Sequence, residues 1–334
     1  MTGPPTGRQF ELMHGKQRAV VVELGAGLRG YGTDGGPILD GYELDEQPDG
    51  GHGQLLLPWP NRIADATYHF AGEKFRLPVN ERRTGSAIHG LVRDTPWRHV
   101  DSSSTWVTLA LDLPPRDGYP FTLELTATYS LGDYGLTVKV IALNAGERPC
   151  PYGAGAHPYL RLAAGGLIDD ALLRVPAGAT LEADDRGIPT GVELSVEGTV
   201  FDFRSARPVG PLKLDTAFTR LAPDHDGLTR ITLTAPDRSR GAMVWMDTSH
   251  GYVMIYSGDT LPDIARRRRS VAIEPMTCAP DAFNSGAGLL VLEPGEQHGS
   301  TWGIAPLPPI ISDDRARAPA AGELTAVTHG MKHR

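Results

Sequence analysis

Five short segments place polar or titratable side chains in apolar, strand-like surroundings, where a polar group left without a partner costs about 2–7 kcal/mol. Leu57-Pro-Trp-Pro-Asn-Arg-Ile63 carries Asn61 and Arg62, and Ser86-Ala-Ile-His-Gly-Leu91 carries His89. Gly153-Ala-Gly-Ala-His-Pro-Tyr159 carries His157, locked against Pro158. Lys213-Leu-Asp-Thr-Ala-Phe218 adds Asp215, and Val271-Ala-Ile-Glu-Pro-Met276 adds Glu274, set at a strand end by Pro275. Each has a plain structural reading: His89 as a satisfied core histidine, Glu274 as an acceptor of backbone N–H bonds, Arg62 and Asp215 as an ion pair. Together they offer a proton donor of near-neutral range, a carboxylate base and several hydroxyl-binding groups, an inventory suited to acid–base chemistry on a sugar. A carboxylate pair such as Asp215 and Glu274 would equally suit a glycoside hydrolase.

Other motifs carry less. Gly25-Ala-Gly-Leu-Arg-Gly30 matches a dinucleotide fingerprint, but that site needs a helix to start at its last glycines. The chain continues Tyr-Gly-Thr-Asp-Gly-Gly-Pro37, which reads as a turn. The 11 histidines show no HExxH or HxH spacing, and His89, His157 and Glu274 converging as a two-histidine, one-carboxylate metal site is the minor reading. No metal and no cofactor are expected. The run Arg266-Arg-Arg-Arg269 reads as a solvated loop, with an anion site as the alternative. Cys150 and Cys278 lack CxxC spacing and fit a reducing compartment, Cys278 as pocket wall or core.

The elements that must hold these groups are strands. The 334 residues include 40 Gly and 28 Pro, roughly a fifth of the chain against a usual share of about 12%. Breakers at that density exclude long helices. Period-2 alternation over 105–113, 121–129 and 136–143, with short turns between, predicts an antiparallel meander. Further strand-like runs fall at 19–24, 171–175, 191–196, 228–234, 242–246, 252–256, 289–292 and 300–304. The expected fold is all-β, a large twisted antiparallel sandwich with scarce helix. Residues 1–311 read as one catalytic domain and 312–334 as a polar C-terminal tail. A net charge of −8 disfavours nucleic acid as a partner. No leader-like start and no apolar run of about 18 residues point to a membrane, so a cytoplasmic monomer or homodimer acting on a small monosaccharide is expected.

The segments also carry a resemblance. Asn61-Arg-Ile63, Ala87-Ile-His-Gly-Leu-Val92, His157-Pro-Tyr159, Leu214-Asp-Thr-Ala-Phe218 and Val271-Ala-Ile-Glu-Pro275 with Asp281-Ala-Phe-Asn284 resemble, in order, the motifs of the aldose 1-epimerase (galactose mutarotase-like) family. The resemblance implies a supersandwich with an open cleft and metal-free interconversion of sugar anomers. The family's catalytic base falls on Glu274 and its acid on His157; its substrate-holding groups fall on Arg62, His89 and Asp215, with Asn61 beside them. On that reading His157 is held protonated by a neighbouring charge, Glu274 stays ionised near its ordinary pKa, and Trp59 is a candidate cover for the sugar's apolar face. The Asp-Thr-Ala-Phe context departs from the galactose-specific branch, where Asp-His is common. Alternative readings are a hexose-6-phosphate 1-epimerase, which would need a basic pocket from Arg82-Arg83 or the Arg266–Arg269 run, and a non-catalytic carbohydrate-binding protein.

Overall fold

The computed structural model describes residues 3–162 and 166–307, so the stretch 312–334 read above as a tail lies outside the described residues. Two large antiparallel sheets make up most of it. The predicted meander supplies three neighbouring strands of the first, Trp106–Leu113, Leu123–Gly132 and Gly135–Asn144. The alternation seen in sequence becomes alternation in burial, with Leu123, Leu125, Ala127, Tyr129 and Leu131 all buried. The long strand Gln297–Leu307 pairs with the third meander strand and with Gly241–Met246, carrying the sheet on through Thr229–Thr234 to a total of nine strands. Among the described residues helix is limited to two 3-10 turns and the single α-helical turn Ala282–Ser285.

The second sheet has eight strands, including Asp215–Leu221, Tyr252–Tyr256, Val271–Met276, Gly155–Ala156 and Tyr159–Leu160. A smaller four-stranded sheet near the N terminus contains the glycine-rich segment as the turn between Gln17–Val22 and Leu28–Thr33. There Gly25 adopts φ +66°, and a Cβ on it would stand 2.6 Å from the Arg93 carbonyl oxygen. No helix follows, which removes the dinucleotide reading.

One apolar core links the sheets: Leu125, Val138, Val244 and Ile304 from the first meet Phe218, Val253, Ile255, Val271 and Ile273 from the second. Strand alternation decides what happens on the opposite face. Val271 and Ile273 point into the core, so Ala272, Glu274 and Met276 point away from it. Ala272 joins a small cluster with Tyr159 and Leu261, and Met276 one with Ala217 and Met254. Glu274 stands between those two patches, a carboxylate on an otherwise apolar strip.

Candidate active site

The strand Val271–Met276 pairs with two short strands that read as one interrupted neighbour: Gly155 is opposite Met276, and Tyr159 is opposite Ala272. Continuing that register sets His157 directly across from Glu274. Pro158 and Pro275 cannot donate to a ladder, and the pairing breaks at this point. The His157 backbone is instead clamped from its other side, donating to the Gln54 carbonyl at 3.0 Å and accepting from the Gly53 amide at 3.0 Å. Cross-strand neighbours on one face lie close enough for direct contact, and His157 Nε2 is 3.2 Å from Glu274 Oε1. Both residues are buried, at 4% and 2% exposure.

The other groups gather around this pair. Arg62 and Ile63 pair with Ile88 and Ala87, which brings Arg62 and His89 to the same place. Asn61, at φ +55°, turns the chain: its Oδ1 accepts from the Arg62 amide at 2.9 Å, its own amide donates to His89 Nδ1 at 3.3 Å, and its carbonyl accepts from the His89 amide at 2.9 Å. Asn61 therefore positions both neighbours. With Nδ1 accepting, the hydrogen of a neutral His89 ring sits on Nε2. The His89 ring meets His157 edge-on, 5.3 Å between centroids. Arg62 forks onto Glu81, Nε at 2.7 Å and Nη2 at 2.9 Å, leaving Nη1 directed toward Asp215 Oδ2 at 4.0 Å. Glu81 is held in turn by Thr84 Oγ1. Gly187 backs this arrangement, since a Cβ there would stand 2.6 Å from Arg62 Nη1. Asp281 and Asn284 work behind the cleft: Asp281 Oδ1 accepts from the Ala64 amide and from Asn284 Nδ2, and the Asp281 amide donates to the Arg62 carbonyl.

The electrostatics differ from the expectation. His157 is not held protonated: burial lowers its pKa, and its charged neighbours His52 and Arg93 lower it further. Glu274 is pushed well above the carboxylate range by burial and by Asp215, with Arg62 opposing. The physical reason is the scarcity of water and the sign of the neighbours, cationic around His157 and partly anionic around Glu274. Burial therefore favours the uncharged form of each partner. Glu274 Oε2 and His157 Nδ1 have no hydrogen-bond partner among the described residues. Buried orphans of this kind are rare in folded proteins and fit a polar ligand entering the site. His89, His157 and Glu274 also bring one donor atom each within 4.8 Å of one another, so the minor metal reading has a geometric basis.

Other expected contributors fall elsewhere. Trp59 is 2% exposed and packs against Tyr119 and Phe283, so it belongs to the core and does not cover the cleft. The arginine run is more structural than a solvated loop: Arg266 binds the Gly41 carbonyl and Glu46, Arg267 the Leu261 carbonyl, and Arg268 Asp259 with the Gly210 and Leu212 carbonyls. Cys278 is fully buried against Gly153, and burial pushes its thiol to about 12, consistent with a core role. Sequence reasoning missed Glu81, the clamp on Arg62, and the His52–Tyr159 stack behind His157. For Tyr159 a signal existed, two residues beyond His157 and on the same strand face.

The antiparallel supersandwich thus brings an arginine, two histidines and two carboxylates together at one site. The sequence model described as Aldose 1-epimerase matches residues 8–305, and the chain belongs to that family. It is 35% identical over 294 residues to the Escherichia coli (strain K12) protein named YihR, spanning 88% of this chain and 91% of that one. It is 28% identical over 285 residues to galactose mutarotase of Rattus norvegicus, covering 79% of this chain and 80% of that one. Among solved structures, the GalM/aldose epimerase homologue from C. elegans superposes with a TM-score of 0.81 at 20% identity, covering 90% of this chain and 98% of that chain. A galactose mutarotase-like protein from Clostridium acetobutylicum gives 0.78 at 18% identity, covering 89% and 94%. The fold is galactose mutarotase-like. Among the described residues no helix is long and apolar enough to cross a membrane.

Proposed function

We propose that the protein is an aldose 1-epimerase that interconverts the α and β anomers of a free hexose, with residues 1–311 as its catalytic domain. The observation that carries this reading is the buried cross-strand pair, His157 Nε2 facing Glu274 Oε1 at 3.2 Å, with a further polar atom of each left unpartnered. The sugar's C1 hydroxyl donates to the Glu274 carboxylate and its ring oxygen accepts from the His157 imidazolium. For this, the shared proton first crosses from Glu274 to His157, a transfer favoured once the sugar supplies hydrogen bonds to the charged forms. Glu274 then takes the C1 hydroxyl proton while His157 protonates the ring oxygen. The C1–O5 bond breaks and C1 becomes an aldehyde. At this stage Glu274 is protonated and His157 neutral, the same proton placement as in the resting protein. Rotation about C1–C2 and reclosure with the transfers reversed give the other anomer. Arg62 Nη1, His89 Nε2 and Asp215 orient hydroxyls, a positioning contribution.

Polarimetry or NMR on freshly dissolved α-D-glucose and α-D-galactose tests this. The wild type accelerates anomer equilibration, and Glu274→Gln lowers kcat by about 10³-fold, within the range for removing a general base. A Gln variant of near-wild-type rate refutes Glu274 as base. Loss of activity on chelation would transfer the site to the metal reading, release of free sugar from aryl glycosides to a hydrolase using Asp215 and Glu274, and saccharide binding without a rate change to a binding protein. Preference for glucose 6-phosphate would name the phosphosugar epimerase.

A further inference from the structure

Behind His157 lies a second histidine that the proton chemistry does not use. His52 is 1% exposed, and its ring lies parallel to that of Tyr159, 3.9 Å between centroids at 12°. The Tyr159 ring is in turn stacked on His157, at 4.8 Å and 22°. Three rings from two chain segments thus form one stack ending at the residue that faces Glu274. The far end is tied down. His52 Nδ1 is 2.7 Å from the Asp49 carbonyl and 3.3 Å from its carboxylate, while Nε2 faces Asp40 Oδ2 at 3.8 Å without a hydrogen bond. Asp40 is itself fixed by Ser270 Oγ at 2.9 Å and Arg161 at 3.3 Å. The middle ring is fixed too, its hydroxyl donating to the Gly50 carbonyl at 2.7 Å. On the near side, Gly51 has φ +82°, and a Cβ there would stand 2.7 Å from His157 Cδ2. The segment 49–52 therefore supplies the anchor, the tyrosine's acceptor and the space for His157.

We propose that His52 is a positioning residue: held between Asp40 and Asp49 and stacked on Tyr159, it fixes the plane of the His157 ring that faces Glu274. The inference rests on the reading of His157 and Glu274 as the proton-transfer pair. Proton transfer over about 3 Å is sensitive to alignment, and a misplacement of about 1 Å can cost about 10²-fold. His52 is buried and separated from His157 by the Tyr159 ring, so loss of the stack is expected to act on turnover and not on binding. The charged and titratable groups around the stack are Asp40, Asp49 and Arg266 near His52, and His89, Arg93 and Glu274 near His157. His52→Phe keeps a ring to stack on Tyr159 while removing the hydrogen bond of His52 Nδ1.

The test compares His52→Ala and His52→Phe by mutarotation kinetics and by NMR of the His157 ring carbons. His52→Ala is expected to lower kcat about tenfold with KM within about twofold, and His52→Phe to recover most of that loss. The His157 ring signals shift and broaden in the Ala variant and stay near wild type in the Phe variant. Unchanged kcat and ring signals in His52→Ala overturn the proposal, as does a rise in KM at constant kcat. Equal losses in both variants overturn the stack as the cause. The NMR measurement needs no activity, so it decides the positioning claim in a His52→Ala protein whatever Glu274→Gln shows. If His52→Ala does not fold, His52→Leu, which fills the site without a ring, is compared with His52→Phe by the same kcat and NMR measurements. An unmoved His157 ring there overturns the proposal.

Discussion

Two clusters of buried charge, one in each large sheet, are built on opposite principles. In the nine-stranded sheet Arg230, 8% exposed, donates to Asp224 at 2.7 Å and to both oxygens of Asp226 at 2.9 and 2.5 Å. The cation is matched by carboxylates at the sheet's rim, with only its Nε lacking a partner among the described residues, and Arg230 lowers the Asp226 pKa to about 2. In the eight-stranded sheet Glu274 and His157 face each other at 3.2 Å, each with a further polar atom that has no partner among the described residues. The first arrangement stabilises the fold. The second is tolerated by it, since the strands on either side are fixed by an apolar core that does not depend on the pair. Solvent access differs as well: the Asp226 side chain is partly exposed, whereas Glu274 is buried.

The contrast is broken most directly at Glu274. Exchange for Gln keeps the shape and removes the titrating group, so the proposed thousandfold loss of turnover should come with a gain in stability. A gain of about 1 kcal/mol at pH 7 is expected in urea denaturation, because the wild-type carboxyl is buried at a cost the amide does not carry. An inactive variant that is also less stable would show that the pair holds the sheet together, and the difference between the two regions would disappear.

The opposite exchange is Asp226→Asn. Screening by water limits a rim ion pair of this kind, and a loss of about 1 kcal/mol is expected with mutarotation kcat and KM unchanged. A loss of turnover there would mean that the sheets communicate through the core.

These regions were not equally legible. The five motifs around Asn61, His89, His157, Asp215 and Glu274 stand out because each sets a polar group beside Pro, Gly or apolar neighbours, and the meander is visible in its period. Register was not visible. That His157 faces Glu274 follows from Gly155 pairing with Met276 and Tyr159 with Ala272, a long-range fact that periodicity does not encode. The expected protonation states failed for the same reason, since the neighbours that set them, His52, Arg93 and Asp215, come from distant segments. Trp59 was misjudged because an aromatic beside two prolines looks the same in a core as in a cleft. Glu81 lies 19 residues from Arg62 in a loop with no motif of its own, and only folding shows that it forks the guanidinium.

The finest distinction between the regions lies in pH. Asp226 titrates near 2 in the folded protein against 3.8 as the ordinary value, so its contribution is fully present above 3.8 and is lost as pH falls toward 2. The stability difference between wild type and Asp226→Asn should therefore be constant at neutral pH and close between about pH 4 and pH 2. Glu274 runs the other way. Its folded pKa lies above the ordinary 4.5, so the folded state holds the proton more tightly and the wild type loses stability relative to Glu274→Gln as pH rises through 4.5. Unfolding curves from pH 3 to 8 should show that difference opening upward from 4.5 while the Asp226 difference stays flat over the same interval. Both differences moving in the same direction with pH would mean that Glu274 is paired in the native state after all, as Asp226 is, and that the resting proton lies on His157.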